Sequence, residues 1–257
     1  MMEEPKRAPS AEFWIRSMKI EEIPKIVELT RPYFFHFSPC SLKFWHKQDP
    51  DGLAIAVNES GEIIGALFTV KNTENLYIGG LFCVHGNYRH LDVGRKLLQE
   101  SYDHSKDKNL IANVDVHQIM PTARRGVGVL ETDWKSIEYE TDTPLNPSML
   151  SDDLPRGVEI LSFQNSLLPA IFEYDFSLGG YERKSIIEAS CHEENCKTLV
   201  AMKDGKCVGF GSIKLDNVEY GRIAPLYADD SSVAEAMVKR LITAMPEAKG
   251  FAINFMT

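Results

Sequence analysis

At 257 residues, 44% hydrophobic and 25% charged, the chain can bury one large core or two ordinary ones, and it carries no low-complexity tract. A formal charge of -9 with no clustered basic surface excludes a sequence-independent grip on nucleic acid. The opening MMEEPKRAPSAEFW has no apolar leader region and no apolar run reaches about eighteen residues, so neither a signal peptide nor a membrane span is expected, and the compartment read is cytoplasmic or nuclear.

The first elements are an opening strand and helix over FWIRSMKIEEIPKIVELT, residues 13–30. The aromatic stretch RPYFFHFSPCSLKFW, residues 31–45, follows. A hairpin is then predicted over LAIAVNESGEIIGALFTV, residues 53–70, with its turn at Glu59, Ser60 and Gly61. The strand YIGGLFCV leads through a short turn, Tyr88 to Gly94, into the helix VGRKLLQESY, whose Val93, Leu97, Leu98 and Ser101 share one face.

That turn has a chemical reading of its own. A helix N-terminus offers backbone N–H groups that no helical carbonyl accepts, and the helix dipole adds partial positive charge. Arg89, His90 and Arg95 surround this one with cationic side chains, and Gly94 leaves room for a close approach, a combination suited to a pyrophosphate. Neither GxxxxGK[ST] nor GxGxxG is present. The same residues would equally make an ordinary solvated helix start.

Further along, ETDTPLNPSMLSDDLPRG, residues 140–157, has linker composition with Pro144, Pro147 and Pro155, and places a boundary near Asp152. VEILSF and SLLPAIFEYDF open a second unit, and LVAMKDGKCVGFGSI, residues 199–213, repeats the earlier hairpin. Gly65 and Gly209 align at an offset of 144, Leu81 and Leu226 at 145. After the second hairpin come YGRIAPLYADD and the helix SVAEAMVKRLITAM, with Ser232 and Glu235 at capping-box spacing. Chance likeness between two glycine-containing hairpins is the competing reading. The expected fold is mixed α/β in two tandem domains, 1–150 and 151–257. Five scattered cysteines suit free thiols. CHEENC lacks zinc-finger spacing and a second ligand cluster, so no metal site is expected.

LFCVHGNYRHLDVGRKLLQES resembles the acyl-CoA motif of the GNAT superfamily of N-acyltransferases, Arg/Gln-x-x-Gly-x-Gly/Ala between a strand and a helix. Arg89 and Gly94 match its first and last positions, Val84 the apolar residue before the loop, and Asp92 replaces the usual middle glycine. The second half resembles the carboxy-terminal domain of tandem, YitH-like GNAT proteins, through EYDFSLGGYERKSII and IAPLYADDSSVAEAMVKRLI. There YADDSS sets Asp229 and Asp230 where phosphates would sit.

The resemblance implies an acyl-CoA-dependent N-acyltransferase, with acetyl-CoA as co-substrate and a small-molecule or peptide amine as acceptor, reacting directly in a ternary complex. It places Phe82 and Val84 beside the pantetheine, and Arg89, His90, Leu91, Asp92, Val93, Gly94 and Arg95 around the pyrophosphate. No catalytic residue is assigned: Thr122 and Ala123 stand where the family often has a Tyr, and His85, His117 and Glu74 are only neighbours in sequence. A CoA-binding or ligand-free scaffold without catalysis is the alternative. The second domain also looks shortened after GFAINFM, so its sheet edge is expected to be covered by another part of the chain or by a second subunit, or else to belong to a form of marginal stability.

Overall fold

In a computed structural model, residues 12–33, 35, 37–114 and 135–256 are described. The chain divides into two compact units, one built on residues up to 35 and 42–131, the other on residues 36–41 and 132–257.

The first unit holds a five-stranded sheet in the order β1-β2-β3-β4-β5: β1 Phe13–Ser17, β2 Leu53–Asn58, β3 Ile63–Thr73, β4 Leu76–Val84 and β5 Asn109–Ala112. The first four pair antiparallel, and β5 joins β4 in parallel. Helix α1, Ile23–Thr30, starts with Pro24 in its first turn, where the missing N–H costs nothing. Helix α2 spans Pro39–Gln48 and α3 spans Val93–His104. Val93 and Leu97 of α3 pack with Ala54, Ala56, Ile64 and Leu67, while Phe82, Val84 and Leu91 close over them. Cys83, between Phe82 and Val84, points to the other face, its Sγ 3.8 Å from the Leu29 carbonyl of α1. Strand alternation thus sorts β4 between the two helices.

The second unit repeats the plan in a six-stranded sheet ordered β6-β11-β10-β9-β8-β7: β6 Ser136–Thr141, β7 Val158–Ser162, β8 Cys196–Lys203, β9 Lys206–Leu215, β10 Tyr220–Ala228 and β11 Gly250–Met256. Helices α4 Leu168–Gly179, α5 Lys184–Cys191 and α6 Ser231–Thr243 complete it. The repeat is visible in the register: Ala56 pairs with Gly65 and Ala201 with Gly209, each beside an irregularity at the next pair. Both units then have a strand that joins its last described partner in parallel, β4 with β5 and β10 with β11.

Two features depart from the linear reading. The strand β6, which precedes the proline-rich linker, pairs antiparallel with β11 from Phe251/Thr141 to Met256/Ser136, so the units divide earlier than linker composition suggests. The exposed edge of β11 is therefore covered by another part of the chain, the first of the outcomes expected. Part of the aromatic stretch also belongs to the second unit: the Asn217 N–H donates to the Phe37 carbonyl at 2.9 Å, and Ser41 Oγ donates to Glu193 at 3.0 Å.

Candidate functional site

In the first unit β4 changes character near its end. Its pairing with β5 runs from Leu76/Asn109 to Gly79/Ala112 and stops there among the described residues, while β4 continues along β3 to Val84. Between the Phe68/Gly80 and Ala66/Cys83 pairs the register with β3 slips, and Leu81 takes φ +53. For a bulky residue that is an uncommon backbone, held by burial of its side chain at 8% exposure. Among the described residues, the bulge and the end of the β5 pairing leave the peptide groups of Leu81 to Cys83 without a strand neighbour on that side, an arrangement in which backbone N–H and C=O groups can bind an extended ligand.

After Val84 the chain makes a short 3-10 turn, Gly86–Tyr88, with the His85 Nδ1 accepting from the Asn87 N–H at 3.3 Å. Tyr88 is tied back to the hairpin, its hydroxyl accepting from Asn58 Nδ2 at 2.9 Å. His90 and Asp92 both lie in the left-handed region, at φ +72 and +68. This explains why glycine is usual at the middle position of the motif, and why aspartate, which tolerates that region better than most residues, can stand there.

Asp92 is the N-cap of α3, yet its side chain accepts no cap hydrogen bond. Its carboxylate is turned aside to Arg95, with Nε donating to Oδ1 at 2.6 Å and Nη2 to Oδ2 at 2.5 Å. That hydrogen-bonded guanidinium holds the Asp92 carboxyl below its ordinary range. The N–H groups of the first helical turn, Val93 to Arg95, thus keep the orphan status that geometry gives them. Gly94 also answers a packing need: a Cβ there would sit 3.1 Å from Phe82 Cζ and 3.7 Å from Val84 Cγ2. The space it leaves is taken by the strand beneath, which brings the helix start close over β4.

Arg89 is exposed and folds back over the site, its Nε donating to the Val84 carbonyl at 3.3 Å and its guanidinium stacking 4.9 Å from the Tyr33 ring centroid. The structure therefore brings Phe82, Val84, Arg89, His90, Leu91, Asp92, Val93, Gly94 and Arg95 into one strand–turn–helix corner, with the side chains of Phe82, Val84, Leu91 and Val93 directed to the core. Sequence reading missed Tyr33 and the Leu81 bulge. The Asp92/Arg95 spacing of three on a helix was the available signal for their pairing. Glu74 lies at the opposite end of β4, paired with Lys71 at 2.7 Å. His117, Thr122 and Ala123 lie outside the described residues. Cys83 is buried, which pushes its thiol up to about 12, so it stands as a neutral thiol at physiological pH.

The corresponding corner of the second unit is built alike and wired differently. The β9–β10 register slips between Ile223 and Leu226, and β10–β11 pairing ends at Ile223/Ile253. But Asp230 caps α6 itself, accepting from the Ser232 N–H at 2.8 Å and from Ser232 Oγ at 2.6 Å. The capping box expected from Ser232 and Glu235 does not form, since Glu235 accepts instead from the Ser151 N–H at 2.9 Å. Asp229 accepts from the buried Tyr174 hydroxyl at 2.8 Å. Two carboxylates thus occupy the helix mouth of this unit. In CHEENC, His192 is bonded at both ring nitrogens, to the Glu188 carbonyl and Asn165 Oδ1. Among the described residues no helix is long and apolar enough to cross a membrane.

Comparison with known proteins places both units in one family. A sequence profile of the acetyltransferase (GNAT) family matches residues 20–125, and one of an acetyltransferase (GNAT) domain matches residues 171–255, about three quarters of the chain together. No curated protein matches the sequence. A candidate acetyltransferase from Pyrococcus horikoshii shares the fold at TM-score 0.69 and 17% identity, over 100% of this chain and 83% of that one. A tandem GNAT protein from the clavulanic acid biosynthesis pathway, in a form without acetyl-CoA, aligns at TM-score 0.67 and 13% identity over 95% of this chain and 90% of its own. A GCN5-related N-acetyltransferase from Sphaerobacter thermophilus aligns at 0.57 and 15% identity, over 97% and 88%. Two matched domains on two repeated sheets place the chain in the GNAT acetyltransferase family, an N-acyltransferase family, as a tandem of two GNAT domains.

Proposed function

We propose that the first domain binds an acyl-CoA, with acetyl-CoA as the donor, and transfers the acyl group to the amine of a small molecule or peptide. The observation that carries this reading is the helix start of α3, uncapped because Asp92 is drawn to Arg95, beside a β4 end whose pairing with β5 stops at Gly79 among the described residues. The residues present fit the ligand. Val93, Gly94 and Arg95 offer backbone N–H groups to the pyrophosphate, Arg89 adds a cationic side chain and His90 a polar one. The peptide groups of Phe82 to Val84 suit the amides of the pantetheine arm.

The thioester supplies an activated acyl carbon and a thiolate leaving group. This chain's own part is to bind and orient it and to offer N–H donors at the β4 bulge where negative charge develops on the thioester oxygen. Cys83 is kept as a thiol by burial, which favours direct attack by the acceptor amine over an acylated cysteine. The attacking amine gives its proton to water in this scheme. The second domain, with Asp229 and Asp230 at its helix mouth, is assigned no CoA.

Calorimetric titration with CoA and acetyl-CoA tests the reading, followed by amine-dependent release of the CoA thiol. Absence of heat with either ligand refutes it. Binding without thiol release across a broad amine set would favour the non-catalytic scaffold. Arg89→Ala and Gly94→Glu should each abolish binding, the latter by placing a carboxylate at the helix mouth and a Cβ 3.1 Å from Phe82 Cζ.

A further inference from the structure

The second domain holds a cavity of about 550 Å³ on the outer side of α4 and the start of α5. Its walls follow from the helix period. Ile171, Tyr174 and Asp175 of α4 turn inward and are buried, Glu173 and Phe176 are exposed on the outer side, and Phe172 is half-buried, packed against the core and also lining the cavity. Gly180, at φ +72, ends the helix in the left-handed conformation and reverses the chain, so that the Tyr181 ring packs over Gly179, 3.5 Å from where a Cβ would lie.

The charges around this cavity sort themselves. Arg183 is forked onto Asp175 at 2.9 and 2.6 Å, and Lys184 pairs with Glu182 at 2.7 Å, so four of the five charged walls neutralise one another locally. Tyr181 already carries the Arg183 guanidinium 5.9 Å from its ring centroid. What remains is one carboxylate, Glu173, flanked by the rings of Phe172 and Phe176.

We infer that this cavity is a binding site for an organic ammonium ion, a choline-like or alkylammonium group held by the Phe172 and Phe176 rings and the Glu173 carboxylate. Aromatic faces attract a weakly hydrated cation through their quadrupole, and a carboxylate beside them supplies the countercharge that a neutral ligand would not use. The site lies wholly within the second domain and is independent of acyl transfer in the first.

Choline is the probe, with its uncharged isostere 3,3-dimethyl-1-butanol as the control, each titrated into the full chain and followed by amide resonances. Saturable shifts confined to residues 169–184 are expected, at low-millimolar choline. Glu173→Gln should weaken choline about threefold and be lost at high salt, and Phe176→Ala should weaken it about fivefold. Both side chains are exposed, so the fold persists and amide spectra elsewhere verify it. Equal binding of the uncharged isostere, unchanged affinity in Glu173→Gln, or no saturable shift with choline would each overturn the assignment.

Discussion

Replacing Asp92 by asparagine isolates the one charge at the helix mouth that opposes an anionic ligand. Asparagine tolerates the left-handed region as aspartate does, so φ +68 is retained and the backbone of the turn should not move. A carboxylate one residue before the N–H groups of Val93 to Arg95 would lie about 7 Å from a bound pyrophosphate. Unit charges at that distance in water interact by about 0.6 kcal/mol, or about 1.2 kcal/mol against two phosphate charges. Screening leaves about 0.9 kcal/mol at 20 mM salt and about 0.5 at 150 mM. Asp92→Asn should therefore bind CoA about fourfold tighter at 20 mM NaCl, about twofold at 150 mM, and with no gain near 1 M. Titration calorimetry at the three salt concentrations measures it, with Asp92→Ala as a second variant that removes the charge but strains the backbone. That variant should show the same gain in affinity and a lower melting temperature. An unchanged or weaker affinity for Asp92→Asn at low salt, or a gain that persists at 1 M, would refute the placement of the phosphates at this turn.

Three further expectations concern stability. Glu22 is held by Arg16 at 2.8 and 2.6 Å and by the Lys19 N–H at 2.9 Å, which lowers its carboxyl to about 2. Because the folded value lies below the ordinary 4.5, its contribution is present above pH 4.5 and fades as pH falls toward 2. Glu22→Gln should cost up to about 3 kcal/mol at pH 7 and progressively less below pH 4, read from denaturant melts across pH. Asp230→Ala removes the cap of α6 and should lower the melting temperature by a few degrees, while Asp230→Asn recovers most of the loss. Asp175→Ala strips the partly buried Arg183 of its partner and should destabilise by about 3 kcal/mol in urea, with Asp175→Glu partly restoring it.

Much of the fold was legible in local patterns. The hairpins at 53–70 and 199–213, the strand into α3 and the amphipathic faces of α3 and α6 follow from alternation and helical period, which depend only on near neighbours in sequence. The corner at 82–95 was legible because a strand, a turn with cationic residues and a helix start are contiguous. The roles inside it were less so. Gly94 read as room for a ligand, and the structure adds that Phe82 lies close beneath it, because a glycine records that something approaches without saying what. Asp92 stands where the motif has its middle glycine, and its carboxylate is turned onto Arg95, a choice made by side-chain rotamers across one helical turn. Ser232 and Glu235 had capping-box spacing, but Asp230 reaches the same N–H first.

By itself the sequence determined the two repeated units, their mixed α/β character and the basic helix mouth of the first against the acidic mouth of the second, since composition and period need no partner. Only tertiary structure decided that β6 closes the second sheet beside β11, that Leu81 bulges where β4 leaves β5, and that Phe37 packs in the second unit. Such pairings join residues a hundred or more positions apart, or turn on one residue of register. Backbone hydrogen bonding satisfies any strand of suitable shape, so the choice among partners is made by the whole packed sheet rather than by any local motif.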